Sequence, residues 1–119
     1  MGRGENNIVL QKSMDFAVRI VRLYKYLSNE KMESVLSKQL LRCGTSIGAN
    51  LYEAQESVSQ KEFEAKVYIA LKEARESEYW LKLLYMTDYL NHDEYDSINV
   101  DCTEILKLLV TITKSLRSK

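Results

Sequence analysis

Proline does not occur anywhere in this chain, and glycine occurs only four times. Both residues interrupt regular helices, so their scarcity leaves long segments free to be helical. No apolar run approaches the roughly 20 residues needed to cross a bilayer. The first residues hold no apolar stretch of signal-peptide type, so no secretory leader is expected. Met1-Gly2 opens like a myristoylation site, but Asn6 stands where that signal needs Ser or Thr. No Asn-x-Ser/Thr glycosylation site is present. The single histidine, His92, leaves too few ligands for a Glu-x-x-His di-iron centre, for axial ligation of haem, or for closed zinc coordination. Only two cysteines occur, Cys43 and Cys102, and both fall on apolar stripes. They read as reduced core residues of a cytoplasmic protein rather than as a disulfide framework. Net charge is zero, with 17 basic and 17 acidic side chains, whereas dedicated nucleic-acid binders carry a basic excess.

What is present is a 3–4 apolar rhythm that persists almost from end to end. The spacing predicts one all-α domain over residues 1–119, an antiparallel up-down-up-down four-helix bundle. Helices are expected at about 8–28, 33–57, 60–90 and 94–117. The first buries Phe16, Ile20, Leu23 and Leu27. The second places Leu36, Leu40, Cys43, Ile47, Asn50 and Ala54 in heptad order, which puts a polar Asn on the core seam. Ser59 and Glu62 have the form of a capping box for the third helix. That helix carries Phe63, Val67, Ala70, Ala74, Ser77, Leu81 and Leu84 inward. Asn91-His92-Asp93 is read as a turn, and Ile98, Cys102, Ile105, Leu109, Ile112 and Leu116 line the fourth helix. The short turn at 57–59 sets Arg42 level with Arg75, Glu76 and Glu78, so a pair with Glu76 or Glu78 is expected. Gly44 and Gly48 share a face, as a close backbone approach would require.

Chemistry-bearing patterns are few. Cys43 and His92 are predicted to be far apart, without a third group to orient them. Glu73, Glu76 and Glu78 resemble a carboxylate cluster, but Lys72, Arg75 and Lys82 balance them as a solvated face. No phosphate loop, nucleophile elbow or dinucleotide fingerprint occurs. Met14, Met32 and Met86 are read as core or boundary fillers. The chain is therefore expected not to be an enzyme, to need no metal or cofactor, and to take no small-molecule substrate. Residues 1–31 are locally basic, and Lys12, Arg19, Arg22 and Lys25 fall on one arc beside the apolar stripe, with Asp15 interrupting it and Tyr26 within it. That arc is the candidate phosphate-binding face. Eight tyrosines and Trp80 exceed what a small core needs. Self-association explains them first and RNA base stacking second.

Three stretches carry a resemblance: residues 39–54 (QLLRCGTSIGANLYEA), residues 69–84 (IALKEARESEYWLKLL) and residues 16–20 (FAVRI). Together they resemble the 23S rRNA intervening-sequence proteins over about residues 8–117. Arg42, Gly44, Thr45, Ser46, Gly48, Asn50, Glu53, Glu76, Tyr79 and Trp80 are the positions of that structural signature, and Cys43 stands where the pattern has serine. The resemblance implies a helical bundle assembled into a homopentamer, in a family first noticed within intervening sequences of bacterial ribosomal RNA genes. It is also similar to the accessory variability proteins of diversity-generating retroelements, which are basic pentamers that bind nucleic acid. The neutral charge of this chain departs from that basic pattern. The expected partners are further copies of the chain and RNA or a nucleoprotein complex, with no membrane. The alternative is an oligomeric scaffold for protein contacts alone.

Overall fold

Four amphipathic segments with no breaker inside them become four helices: α1 (Arg3–Glu30), α2 (Leu36–Gln55), α3 (Gln60–Met86) and α4 (His92–Arg117). The computed structural model describes residues 3–118, with side chains from residue 7 onward, and no strand occurs among the described residues. The Met1-Gly2 opening considered above lies outside the described residues.

The helix ends differ from those expected by a few residues, each for a local reason. α2 starts at Leu36, not near residue 33, because Glu33 caps it from outside. The Glu33 carboxylate accepts the backbone N–H groups of Val35 (3.0 Å), Leu36 (3.0 Å) and Ser37 (2.8 Å). These are donors that the first turn of a helix leaves unpaired. α3 stops at Met86, before the expected Leu90. Asp88 takes the left-handed conformation at φ 69°, the Tyr89 N–H reaches the Leu84 carbonyl and the Asp88 N–H reaches that of Tyr85. This is the Schellman pattern, formed without its usual glycine. At α3 the Ser59 hydroxyl accepts the Glu62 N–H, the forward half of the expected capping box. The reciprocal box forms instead at α4: Asn91 accepts from the Glu94 N–H while the Glu94 carboxylate accepts the Asn91 N–H, each at 2.8 Å. His92 and Asp93, read as turn residues, are therefore the first turn of a helix.

The helices pack as a closed cycle in which each touches two neighbours and no Cα of one diagonal partner lies within 8 Å of the other. Cross-helix pairs run in opposite order along the chain. Lys12 meets Glu104 and Arg19 meets Asp101. Arg42 meets Glu76 and Glu53 meets Lys66. Phe16, Ile20, Leu27, Leu40, Ile47, Leu81, Leu84, Ile105, Leu109 and Ile112 are buried in one shared core. Each such side chain contributes about 1.5–3 kcal/mol of transfer free energy.

Two packing expectations need correction. Asn50 is half-buried, and Leu51 takes the core position. The Asn50 amide turns back on its own helix, donating to the Ser46 carbonyl (2.8 Å) and hydroxyl (3.0 Å). A strict seven-residue repeat overruns a straight helix by about 20° per heptad. Two heptads from Leu36, that drift has swung position 50 outward and 51 inward. Met32 and Met86 are exposed beside turns and fill no core space; Met14 is exposed on the outer side of α1.

Gly44 and Gly48 are buried where α1 and α2 approach most closely. A Cβ at Gly44 would lie 3.0 Å from Ile20 Cγ1 and 3.1 Å from Cγ2; one at Gly48 would lie 3.2 Å from the Ser13 hydroxyl. Close packing thus outweighs the roughly 1 kcal/mol that each glycine costs a helix relative to alanine. Gly44→Val is expected to destabilise the fold by about 2 kcal/mol or more through overpacking. Urea unfolding measures this, and a variant as stable as the parent would remove the close-approach argument.

The Glu33 cap makes a pH-dependent prediction. Burial, the largest single influence, pushes the Glu33 carboxyl upward. The N–H groups of Leu36, Ser37 and Val35 and the Ser37 side chain together outweigh it, so its pKa falls below the ordinary 4.5. A depressed folded pKa gives stability that is present above the unfolded value and is lost as pH falls through the folded one. Glu33→Gln is expected to cost about 1–2 kcal/mol at pH 7. Its deficit relative to the parent should shrink in acid, where the parent carboxyl is itself protonated. Denaturant curves at neutral and acid pH check this, and equal stability at pH 7 would contradict it.

Candidate nucleic-acid interface

The basic arc of α1 survives only in part. Lys12 and Arg19 sit on the side of α1 that meets α4, where carboxylates engage both. Lys12 Nζ lies 3.3 Å from Glu104. Arg19 Nη1 lies 2.7 Å from Asp101 and also donates to the Ser97 carbonyl (3.1 Å), while Nη2 donates to the Ser97 hydroxyl (2.9 Å). With three of its five N–H donors on α4, Arg19 clamps the two helices and is partly engaged before any phosphate could approach. Arg22 and Lys25 are exposed and make no ion pair among the described residues. Arg22 borders a groove of about 520 Å³ between α1 and α4, floored by Leu23 and Ile98 and rimmed by Tyr26, Asp93 and Glu94. A polyanion approaching Arg22 there would also meet two carboxylates. Tyr26 has the Lys31 ammonium 6.0 Å from its ring centroid.

The signature residues fall into two groups on α2 and α3. Gly44, Thr45, Ser46, Gly48 and Asn50 shape α2 itself. The glycines admit α1, the Thr45 hydroxyl donates to the Leu41 carbonyl (2.7 Å), and Ser46 receives Asn50. Arg42, Glu53, Glu76 and Trp80 lie at or beside the α2–α3 seam, while Tyr79 is exposed next to Trp80. Arg42 spans Glu76 and Glu73, the latter at 3.2 Å, and the Trp80 indole N–H donates to Glu76 at 3.0 Å. The expected Arg42–Glu76 pair is therefore present; Glu73 completes it, and Glu78 lies 4.0 Å from Arg75. The Trp80 and Arg42 donors hold the Glu76 carboxyl below its ordinary range, and the Glu76 bond raises Arg42. Tyr79 packs edge-on to Trp80, with centroids 5.0 Å apart and planes at 79°. Lys66 reaches Glu53 at 2.6 Å.

The thiols are inert by environment. Burial pushes Cys43 up to about 11 and Cys102 up to about 12. The Ser77 hydroxyl lies 3.3 Å from Cys43 Sγ, and the Cys102 thiol faces the Ala74 carbonyl. The two residues sit on diagonal helices whose Cα atoms stay more than 8 Å apart, beyond the 4.4–6.8 Å of a disulfide. Among the described residues no group of three or more His, Cys, Asp or Glu is placed to hold a metal ion, and no helix is long and apolar enough to cross a membrane.

Two features had no clear sequence signal. Glu33 caps α2 from a position that no standard capping pattern marks. The exposed apolar stripe Met14, Val18 and Val21 is legible as steps of four and three on α1. Its meaning appears only once α2 is seen beside it, with Leu41, Thr45 and Tyr52 on the adjoining stripe.

Comparison with curated proteins finds no match. Among solved structures, the chain is similar to a protein of unknown function from the S23 ribosomal protein family of Bacteroides thetaiotaomicron VPI-5482. The two are 57% identical over 92% of this chain and 98% of that one, with a TM-score of 0.90. The family model described as 23S rRNA-intervening sequence protein matches residues 5–111. With that match spanning most of the four helices, the chain belongs to the 23S rRNA-intervening sequence protein family.

Proposed function

We propose that this protein is a non-enzymatic, self-assembling helical scaffold: an up-down-up-down bundle that associates through α1 and α2 and carries RNA or a nucleoprotein as its cargo. The observation that carries the assembly is the outer face of those two helices. Met14, Val18 and Val21 are 43%, 41% and 37% exposed, and Tyr52 is 45% exposed. Their two stripes hold no charged residue between Met14 and Val21 or between Leu41 and Tyr52. Exposed apolar side chains grouped on two neighbouring helices, with Asp15 and Arg22 at their margin, are what protein contacts cover. A ring of five copies is what the family resemblance implies. The opposite order of cross-helix pairs supports the up-down arrangement, and two buried, unbridged thiols support a cytoplasmic setting.

The second reading, a scaffold that binds no nucleic acid, is favoured by the carboxylates that occupy Lys12 and Arg19. The two readings separate in one preparation. Size-exclusion chromatography with light scattering, on protein purified without nuclease, should give an oligomer. Excess absorbance at 260 nm favours the cargo reading, and a clean oligomer favours the protein-only scaffold. Val18→Glu is expected to weaken assembly about tenfold or more, at least 1.4 kcal/mol, with an unchanged helical signal. A monomeric parent protein would remove the assembly itself.

A further inference from the structure

The charges of α3 segregate by side. Glu73 and Glu76 turn toward α2, where Arg42 and Trp80 engage them. The cations that balance them in sequence, Lys72 and Arg75, are exposed, and Arg75 lines the groove between α3 and α4. Tyr68, Lys72, Arg75 and Tyr79 recur at steps of four, three and four, one stripe of a helix. On α4, Thr103, Lys107, Val110 and Lys114 recur at the same steps. The Cys102 thiol at the Ala74 carbonyl and the Tyr68 hydroxyl at that of Thr113 (3.5 Å) set the register and bring Lys72 level with Lys107 within about a turn. Arg75, Glu78, Thr103, Lys107, Val110 and Thr111 line a groove of about 490 Å³ between α3 and α4. Lys72, Lys107 and Lys114 make no ion pair among the described residues, and Arg75 has only Glu78, at 4.0 Å. Glu64 and Glu78 are the acidic residues on that side of α3, and Asp96 lies on the α4 side at the far end.

We propose that the α3/α4 face is a track for the backbone of a single-stranded polynucleotide, with phosphates on Lys72, Arg75, Lys107 and Lys114 and a base on the exposed ring of Tyr79. This rests on the cargo reading above and gives that cargo a surface other than the α1 arc. Four cations along a stripe about 16 Å long suit a repeating anion. Tyr79, 60% exposed at one end, offers a flat ring that stacks bases of any sequence. An acidic peptide would satisfy the cations, but a nucleotide strand carries a planar base with every phosphate and so supplies both contacts. The apolar α1/α2 face lies across the bundle, so assembly there leaves this track open.

Fluorescence anisotropy with a labelled oligouridylate of about 12 nucleotides tests the assignment. The parent should bind with affinity that falls as salt rises. Lys72→Glu combined with Lys107→Glu should raise Kd at least about tenfold and reduce the salt slope by roughly one to two. Tyr79→Ala should raise Kd about fivefold or more with little change in salt slope. If charge reversal disturbs the helical signal, Lys72→Gln with Lys107→Gln reads the same contacts more gently. Binding lost only in Arg22→Glu with Lys25→Glu would overturn the α3/α4 track while leaving the cargo reading standing. A parent protein that binds no oligonucleotide would overturn both. Capture of polyglutamate with the same dependence on Lys72 and Lys107, and none on Tyr79, would assign the face to an acidic protein segment instead.

Discussion

The contact of Gly44 with Ile20 and of Gly48 with Ser13 sets the distance between α1 and α2, and much of the molecule follows from that distance. A side chain at Gly44 would force Ile20 to move, and Ile20 is buried in the core shared by all four helices. Packed interiors at near-crystalline density yield little to such strain. The same close approach draws the outer stripes of α1 and α2 into one apolar surface. Were the helices further apart, Val18 and Tyr52 would be scattered surface residues of the ordinary kind. The glycines are thus both a packing device and the reason the exposed apolar side chains of α1 and α2 lie side by side. Glu33 supports the arrangement from the turn, where its carboxylate fixes where α2 begins.

Electrostatics in this chain is a matter of placement rather than of sum. Equal numbers of acids and bases give no net field at long range, yet the pairs are not formed at random. Arg19 is engaged by Asp101 and Ser97, and Arg42 by Glu73 and Glu76. Exposed pairs of this sort contribute little stability, typically under about 1 kcal/mol. Their larger effect is to decide which cations remain for a partner. Glu73 and Glu76, which would neutralise Lys72 along the sequence, are engaged by Arg42 and Trp80 instead. A helix turns neighbours in sequence to different faces, so local charge balance in sequence says little about local charge in space.

The helical class and most of the core were legible in the sequence because periodicity is a property of the chain itself. Leu40, Ile47, Ala70, Ala74, Leu81, Ile105 and Leu109 are buried as their spacing requires. The short 57–59 turn made the register between α2 and α3 legible as well, and Arg42 meets Glu76 accordingly. Helix ends were less legible. Asp88 adopts a left-handed conformation that glycine would have announced, and Glu33 caps from outside the usual pattern. Asn50 was misplaced by reading a heptad into a helix that turns every 3.6 residues. The basic arc of α1 was read from one helix alone. It was incomplete as a site, because Glu104 and Asp101 lie 92 and 82 residues away in sequence.

The assembly and the cargo binding proposed above would support each other physically in this arrangement. In the cycle of four helices the α1/α2 and α3/α4 faces lie on opposite sides, so using one does not cover the other. A neutral chain with four available cations on one face holds a polyanion weakly, because affinity for phosphate scales with the number neutralised. Repeating that face around a closed oligomer changes the outcome without adding a contact. Once one copy engages a strand, its neighbours meet the same strand at high effective concentration, and avidity can exceed single-site affinity by about 10²–10⁴. A protein built this way would bind a long strand as an assembly and release it as separate chains. The apolar face that sets the oligomer, rather than net charge, would then govern retention of the strand.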